Sequence, residues 1–321
     1  MNGNRELSQV ARQIRSMVAG EVWEHEPMSR HTSYRIGGPA DVLVRPATLD
    51  ASLYLFDWLT RENVPWIVLG HGTNLLVMDE GIRGVVVDLT RATRAWDWSG
   101  SKVHVGGGAP LAGLARRAAL MGLSGLEFAA GIPGTLGGAI VMNAGAEGGC
   151  MADVTVSVDL WVPGEGLQVV PASELSLGYR TSILQSQPGV VLGASLALRV
   201  GEPGKIQRKM DEILEKRRRT QPLNYPNAGS VFRNPPGDAA GRLLEAVHMK
   251  GMRVGDAQVS TVHANFIVNL GRARARDVLA LMQVGRKRVW ESFGVWLEPE
   301  IKLVGGNQLP MPAKERISRE R

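Results

Sequence analysis

Apolar residues recur at helical spacing near the start of the chain, where Leu7, Val10, Ile14 and Met17 share one face and predict a helix packed on the body along that stripe. From Asp41 the period changes. The short β-rich runs DVLVRP, WIVLG and GVVVDL alternate with a helical stretch near Leu49 to Arg61, the pattern of a small α/β unit. A second unit begins near Val103 with VHVGGG and a helix from Pro110 to Met121, proline suiting a first helical position. Beyond a glycine-rich stretch come VSVDLWV, LQVVP and VVLGASLALRV. Period-two alternation in the last predicts one buried face, so this unit reads as an α+β body.

A basic helix, KIQRKMDEILEKRRR, is expected from Lys205 to Arg219 with Ile206, Met210 and Ile213 on one face. The prolines of TQPLNYP cannot continue it, which marks a domain boundary. The third unit runs GRLLEAV helix, ANFIVNL strand, RDVLALMQVGRKRVWESF helix and EIKLVG strand, a compact α+β domain. The tail from Asn307 to Arg321 is expected to be mobile.

At 321 residues the chain exceeds the size at which one core stops growing, in keeping with two or three domains. With 44% hydrophobic and 21% charged residues it has ordinary globular usage, which excludes wholesale disorder. No apolar run approaches the ~20 residues needed to span a bilayer. The N-terminus lacks a signal-peptide core, and the single Cys150 permits no internal disulfide, so a cytoplasmic protein without a membrane partner is expected. A formal charge of +6 raises nucleic acid as a partner, but the arginines are scattered and aromatics for stacking are few; an anionic cofactor and substrate explain the balance better. Six scattered histidines offer no metal-ligand spacing.

The glycines gather between Gly106 and Gly149. Just upstream, VLGHGTNLLV sets Gly70, His71, Gly72, Thr73 and Asn74 after an apolar strand, where consecutive N–H groups can form an anion-binding nest. A tight loop needing glycine for positive φ would use the same residues. In GLEFAAGIPGTLGGAIVMNAGA, Gly131, Gly134, Gly137, Gly138 and Gly145 recur among small or uncharged neighbours, including Ile132, Pro133, Thr135, Asn143 and Ala144. Such a backbone can approach a large flat or phosphate-bearing ligand closely. Neither GxGxxG in a βαβ unit nor GxxxxGK[ST] is present, so a Rossmann domain and a P-loop are not supported.

These segments, with HTSYRIGGPAD (31–41), GYRTS (178–182), NAGSVFRNP (227–235) and LEPEIKLVG (297–305), occur in an order that resembles the UDP-N-acetylenolpyruvoylglucosamine reductases, FAD enzymes of bacterial peptidoglycan precursor synthesis. The resemblance covers most of the chain. It implies an α+β fold: an N-terminal helix (1–19), a two-subdomain FAD-binding region of the vanillyl-alcohol oxidase/PCMH type (20–203, subdomains about 20–92 and 93–203) and a C-terminal substrate-binding domain (204–306). It also implies a reaction, in which NADPH reduces noncovalently bound FAD and the flavin passes hydride to the enolpyruvyl ether. His71 would then not be a covalent flavin attachment point. After GYRTS the chain passes quickly through ILQSQPG to the next strand, leaving no room for the tyrosine-bearing insertion of one branch, so it resembles the shorter, second type.

The resemblance assigns three catalytic residues. Arg180 would stabilise negative charge on the substrate carboxylate, a task that suits a forked, permanently charged guanidinium. Ser230 would donate the proton, although a serine hydroxyl is a poor acid and NAGS equally suits a turn. Glu300 would help handle the carboxylate; in an extended strand it shares a face with Glu298, and only the motif favours it. Tyr179, Asn227, Arg233 and Asn234 are expected to contact the UDP-linked substrate. Arg217 to Arg219 and Tyr225 are weaker candidates, because a charge run at a helix end is commonly a solvated face. Two other readings use the same scaffold: an FAD-dependent oxidase of a small alcohol or sugar, and a silent nucleotide-sugar sensor. A monomer or weak oligomer is expected.

Overall fold

The computed structural model describes residues 3–305, so the expected mobile tail lies outside the described residues. Helix Gly3–Met17 buries Ala11 and Ile14, which join Val42, Val44, Leu55 and Phe56 in one core. That core is also fed by Trp161, Val190 and Leu192, so the helix closes a seam between two sheets.

The first sheet has the order Gly20–Pro27, Pro39–Pro46, Ile82–Asp88, Trp66–Leu69. Its first pair is antiparallel and the other two are parallel. Parallel neighbours need a crossover, and the helix Leu49–Arg61 supplies it, started by Thr48, whose side chain accepts from the amide of Ala51 at 3.2 Å. The second sheet is antiparallel throughout, in the order Gly166–Pro171, Thr155–Val162, Val190–Ala197, Lys102–Gly106, Trp96–Ser99. Helix Leu111–Leu120 and the glycine-rich segment cover one face of this sheet through Leu114, Ala118, Phe128 and Ile140.

Helix Pro203–Thr220 buries Ile206, Met210 and Ile213, as the sequence predicts. Ile206 and Met210 belong to the core of the second sheet, so packing does not change at residue 204 but beyond the helix. The third core gathers helices Ala240–Ala246 and Ala275–Phe293 with the antiparallel strands Arg253–Val254, Ala257–Val259 and Ile267–Asn269. Tyr34, Ile36, Leu76 and Met78 reach into it from the first half of the chain.

The connection that positions the site comes last. Strand Lys302–Val304 leaves the third unit and pairs in parallel with Leu75–Val77, directly after the loop 70–74. The chain's C-terminal motif is thereby laid against its first glycine loop. Among the described residues no helix is long and apolar enough to cross a membrane.

Candidate functional site

Two glycine loops build one wall of a cavity of about 650 Å³. Gly72 has φ 59, and a Cβ there would stand 2.2 Å from the carbonyl oxygen of His31. At Gly70 a Cβ would meet Thr135 Oγ1 at 2.4 Å, so the two loops can approach only because this position is bare. Thr73 Oγ1 donates to the Pro133 carbonyl at 3.2 Å, tying the loops together. Thr135 caps the short helix Leu136–Val141, and the amides of Leu136 and Gly137 bond to the carbonyls of Ala109 and Gly107. The wall is therefore mostly backbone and small side chains. Its size lies within the usual range for ligand cavities, and its bare walls, with Arg180, Arg217 and Lys302 also in the lining, fit a large planar, phosphate-bearing cofactor.

Arg180 lines the same cavity from the turn 178–181, closed by reciprocal backbone bonds between Gly178 and Thr181. Its φ is 54, a conformation that costs a non-glycine residue on the order of 1 kcal/mol and persists only where the surroundings hold it. Asn143 donates to the Gly178 carbonyl at 2.8 Å, and Ser182 Oγ donates to the Val141 carbonyl at 2.7 Å. The guanidinium is aimed by two bonds, Nε to Glu300 Oε1 at 2.8 Å and Nη2 to the Gly145 carbonyl at 2.6 Å. Its outer face lies 5.2 Å from the ring centroid of Tyr179.

Glu300 lies between Pro299, bridged to Phe232, and strand Lys302–Val304. Its amide donates to the Val231 carbonyl at 2.8 Å, and its own carbonyl accepts from Asn74 Nδ2 at 3.2 Å. Ser230 immediately precedes Val231, so the serine and the glutamate stand on adjacent extended segments lining the same cavity. The sequence leaves Glu298 and Glu300 on one face; the structure parts them. Glu300 turns to Arg180 and the cavity, whereas Glu298 lies near Arg286, because the backbone around Pro299 is not a regular strand.

Burial raises the Glu300 carboxyl above its ordinary value of 4.5, outweighing the lowering pull of Arg180 and Arg233. The folded protein thus holds this proton more tightly than the unfolded chain does. Stability from the group is present in full below the unfolded value and is lost as pH rises through the folded one. Glu300→Gln should therefore lose less thermal stability than the parent between about pH 5 and about pH 8. Melting curves at both pH values check this; a parallel decline in both proteins would refute it.

Most of the predicted residues meet at this cavity: all of 70–74, all of 132–135, Gly137, Gly138, Ala144 and Gly145, with Arg180, Ser230, Asn234 and Glu300. Others do not line it. Gly131 is bare because the Arg217 side chain crosses it, Cδ lying 2.5 Å from where a Cβ would stand. Asn143 is buried, and its second bond, from the Ala152 amide to Oδ1 at 2.9 Å, leaves it a brace for the Arg180 turn. Asn227 is spent within its own loop, accepting from the Gly229 amide at 2.9 Å and donating to the Tyr225 carbonyl at 2.8 Å. Tyr179 is exposed beside Arg180. Arg233 acts at a distance, its charge favouring the ionised form of Glu300 and disfavouring that of Lys302.

Lys302, Arg217, Gln221 and Glu147 also line the cavity. The signal for Lys302 was its place two residues beyond Glu300. Burial, followed by Arg233, lowers its ammonium below the ordinary lysine value, and Nζ donates to Gln185 Oε1 at 2.7 Å. Arg217 is half-buried, its guanidinium lowered by burial against the pull of Glu147. It remains charged.

Two family models match the chain: an FAD binding domain over residues 40–170 and the C-terminal domain of UDP-N-acetylenolpyruvoylglucosamine reductase over 221–304. UDP-N-acetylenolpyruvoylglucosamine reductase 2 of Symbiobacterium thermophilum is 49% identical over 94% of this chain and 98% of its own length. The reductase of Bacillus subtilis is 41% identical over 94% of this chain and 100% of its own. The crystal structure of UDP-N-acetylenolpyruvylglucosamine reductase from Thermus caldophilus superposes with a TM-score of 0.77 at 39% identity, covering 90% of this chain and 100% of that one.

Proposed function

As the chain belongs to the UDP-N-acetylenolpyruvoylglucosamine reductase family, we propose that Arg180, Ser230 and Glu300 perform the substrate-reducing half of its reaction. The enzyme reduces UDP-N-acetylenolpyruvoylglucosamine to UDP-N-acetylmuramate with NADPH and FAD, in peptidoglycan precursor synthesis. Bound FAD, once reduced by NADPH, supplies the hydride. The loops 70–74 and 132–135, with Gly137, Gly138, Ala144 and Gly145, would hold it noncovalently. The observation that carries the residue assignment is the Arg180–Glu300 pair at 2.8 Å on the cavity wall.

When hydride adds to the terminal carbon of the enolpyruvyl double bond, negative charge moves onto the attached carboxylate. Arg180, already aimed by Glu300 and the Gly145 carbonyl, meets that charge without rearranging. Glu300, whose burial favours the protonated form, donates a hydrogen bond to the same carboxylate. Ser230 gives its proton to the adjacent carbon, completing the addition of hydride and proton across the double bond.

Arg217, with Asn234 and Gln221, receives the diphosphate of the UDP moiety. A fixed cation that serves ground and transition states alike should act on binding. Arg217→Ala is expected to raise KM for the UDP substrate about tenfold, the loss of one charged hydrogen bond, with kcat little changed and FAD content intact. Loss of flavin from the purified variant would instead place Arg217 on the cofactor. The division at packing supports a substrate domain beginning past Thr220.

The test of the whole reading is an anaerobic absorbance titration. Yellow flavin that bleaches with NADPH and returns with the enolpyruvyl substrate is the expected result. Flavin that bleaches but does not return would leave the scaffold and remove the substrate. An oxidase on the same fold would instead regain its colour with oxygen at a rate indifferent to the UDP substrate.

A further inference from the structure

Gln185 has no part in the chemistry above, yet its side chain joins three segments of the site. Nε2 donates to the carbonyl of Arg180 and to that of Val141, each at 3.0 Å, and Oε1 accepts from Lys302 Nζ at 2.7 Å. The residue sits in the short helical turn Ile183–Gln185 that follows the Arg180 turn. Val141 closes the helix of the glycine-rich wall, and Lys302 begins the strand that delivers Glu300.

Several braces hold the Arg180 turn, but they differ in reach. Asn143 fastens Gly178 and Ser182 fastens itself to Val141, both within the second unit. Gln185 alone of the three also grips the C-terminal segment, 117 residues further on. It grips the backbone of Arg180 itself, the residue held at positive φ. An amide can do this because it donates two hydrogens and accepts at its oxygen, whereas a carboxylate only accepts and a thioether does neither well.

We propose that Gln185 is a positioning residue for substrate reduction, setting the backbone of Arg180 and the segment bearing Glu300 in one register across the cavity. This rests on the role assigned to Arg180 above. A charge-stabilising group must be in place before charge develops, and displacement by about 1 Å can cost 10²-fold in rate. Two mutually supporting bonds to different segments are a means of holding such a tolerance.

The experiment compares Gln185→Met and Gln185→Glu with the parent and with Arg180→Ala, using FAD-loaded enzyme. Four quantities are read: flavin-to-protein ratio, rate of NADPH bleaching, UDP-substrate affinity from perturbation of the oxidised flavin spectrum, and the single-turnover rate of flavin reoxidation by substrate. Both Gln185 variants should keep flavin and bleach normally, bind substrate within about threefold of the parent, and reoxidise about 10- to 100-fold more slowly. The decisive comparison is the double variant. If Gln185 works through Arg180, Gln185→Met should add little to the deficit of Arg180→Ala.

Full additivity of the two deficits would overturn the proposal, as would normal reoxidation in Gln185→Glu, which keeps a partner for Lys302 but cannot donate to the two carbonyls when ionised. An equal slowing of bleaching and reoxidation would also overturn it, reducing Gln185 to a general support of the fold. Should Gln185→Met not yield folded enzyme, the same cycle is run with Gln185→Glu. The underlying assignment fails separately: Arg180→Ala reoxidising at the parental rate would sink the role of the arginine, whatever Gln185 does.

Discussion

Arg180→Lys is expected to retain FAD and bleach normally with NADPH, while the substrate-driven return of flavin colour slows by about 10²- to 10³-fold. The charge is conserved in this substitution, so a deficit of that size must come from geometry. Arg180 uses Nε for Glu300 and Nη2 for the Gly145 carbonyl, which leaves the planar head fixed in orientation. Lysine is a point charge on a flexible stem and cannot make both bonds while facing the substrate in a defined plane. Its KM should change less than its kcat, because the carboxylate is charged in the ground state and gains charge in the transition state. Stopped-flow absorbance of the two half-reactions separates the cases. A variant slow in bleaching would show that the arginine serves the cofactor, and one normal in both would remove Arg180 from the catalytic group.

The elements that bring these residues together were legible in unequal measure. Strands and helices with a clean period announced themselves: the helix at Leu49–Arg61 ends where its apolar stripe does, and VSVDLWV, LQVVP and VVLGASLA are three of the five strands of the second sheet. The glycine loops were legible as a composition, since bare positions in consecutive turns have few other uses than close approach. What a linear reading cannot carry is the return of the last strand to the first loop. Lys302–Val304 pairs with Leu75–Val77 across more than two hundred residues, and nothing in the local pattern of either run names its partner. That single pairing puts Glu300 beside Asn74.

Residue roles divide along the same line. Asn143 and Asn227 carry polar side chains in the right motifs, and a ligand role is the natural expectation; the structure shows their amides bonded to backbone groups. Arg217 shows the reverse. A run of arginines at a helix end reads as a solvated face, and Arg218 indeed pairs with Glu215 in solvent, but one position earlier the helix turns a guanidinium over Gly131 and into the cavity. Gln185 had no signal at all. Its value lies in three carbonyl and ammonium partners from distant segments, none of which its own neighbourhood in the sequence predicts.

Ser230→Ala should likewise bleach with NADPH at the parental rate, and its reoxidation by substrate should fall by about 10²- to 10⁴-fold, the usual contribution of a placed proton donor. Ser230 follows a loop fixed by Asn227 and by Ser33, whose hydroxyl donates to the Asn227 carbonyl at 2.7 Å, so its position does not depend on its own side chain. Removing the hydroxyl oxygen should therefore leave the backbone, and Glu300 hydrogen-bonded to Val231, where they are. A free serine hydroxyl gives up its proton reluctantly, and the guanidinium and half-buried glutamate lining the same cavity would supply a field that makes it easier as charge builds on the substrate. If protonation limits turnover in the variant, reoxidation measured in deuterium oxide should slow further, because the remaining donor is solvent. Loss of bleaching in Ser230→Ala would move the residue to the cofactor side of the cavity. Normal reoxidation would mean that another group on this wall delivers the proton, and Glu300, protonated more readily than an exposed carboxyl, would be the first to test.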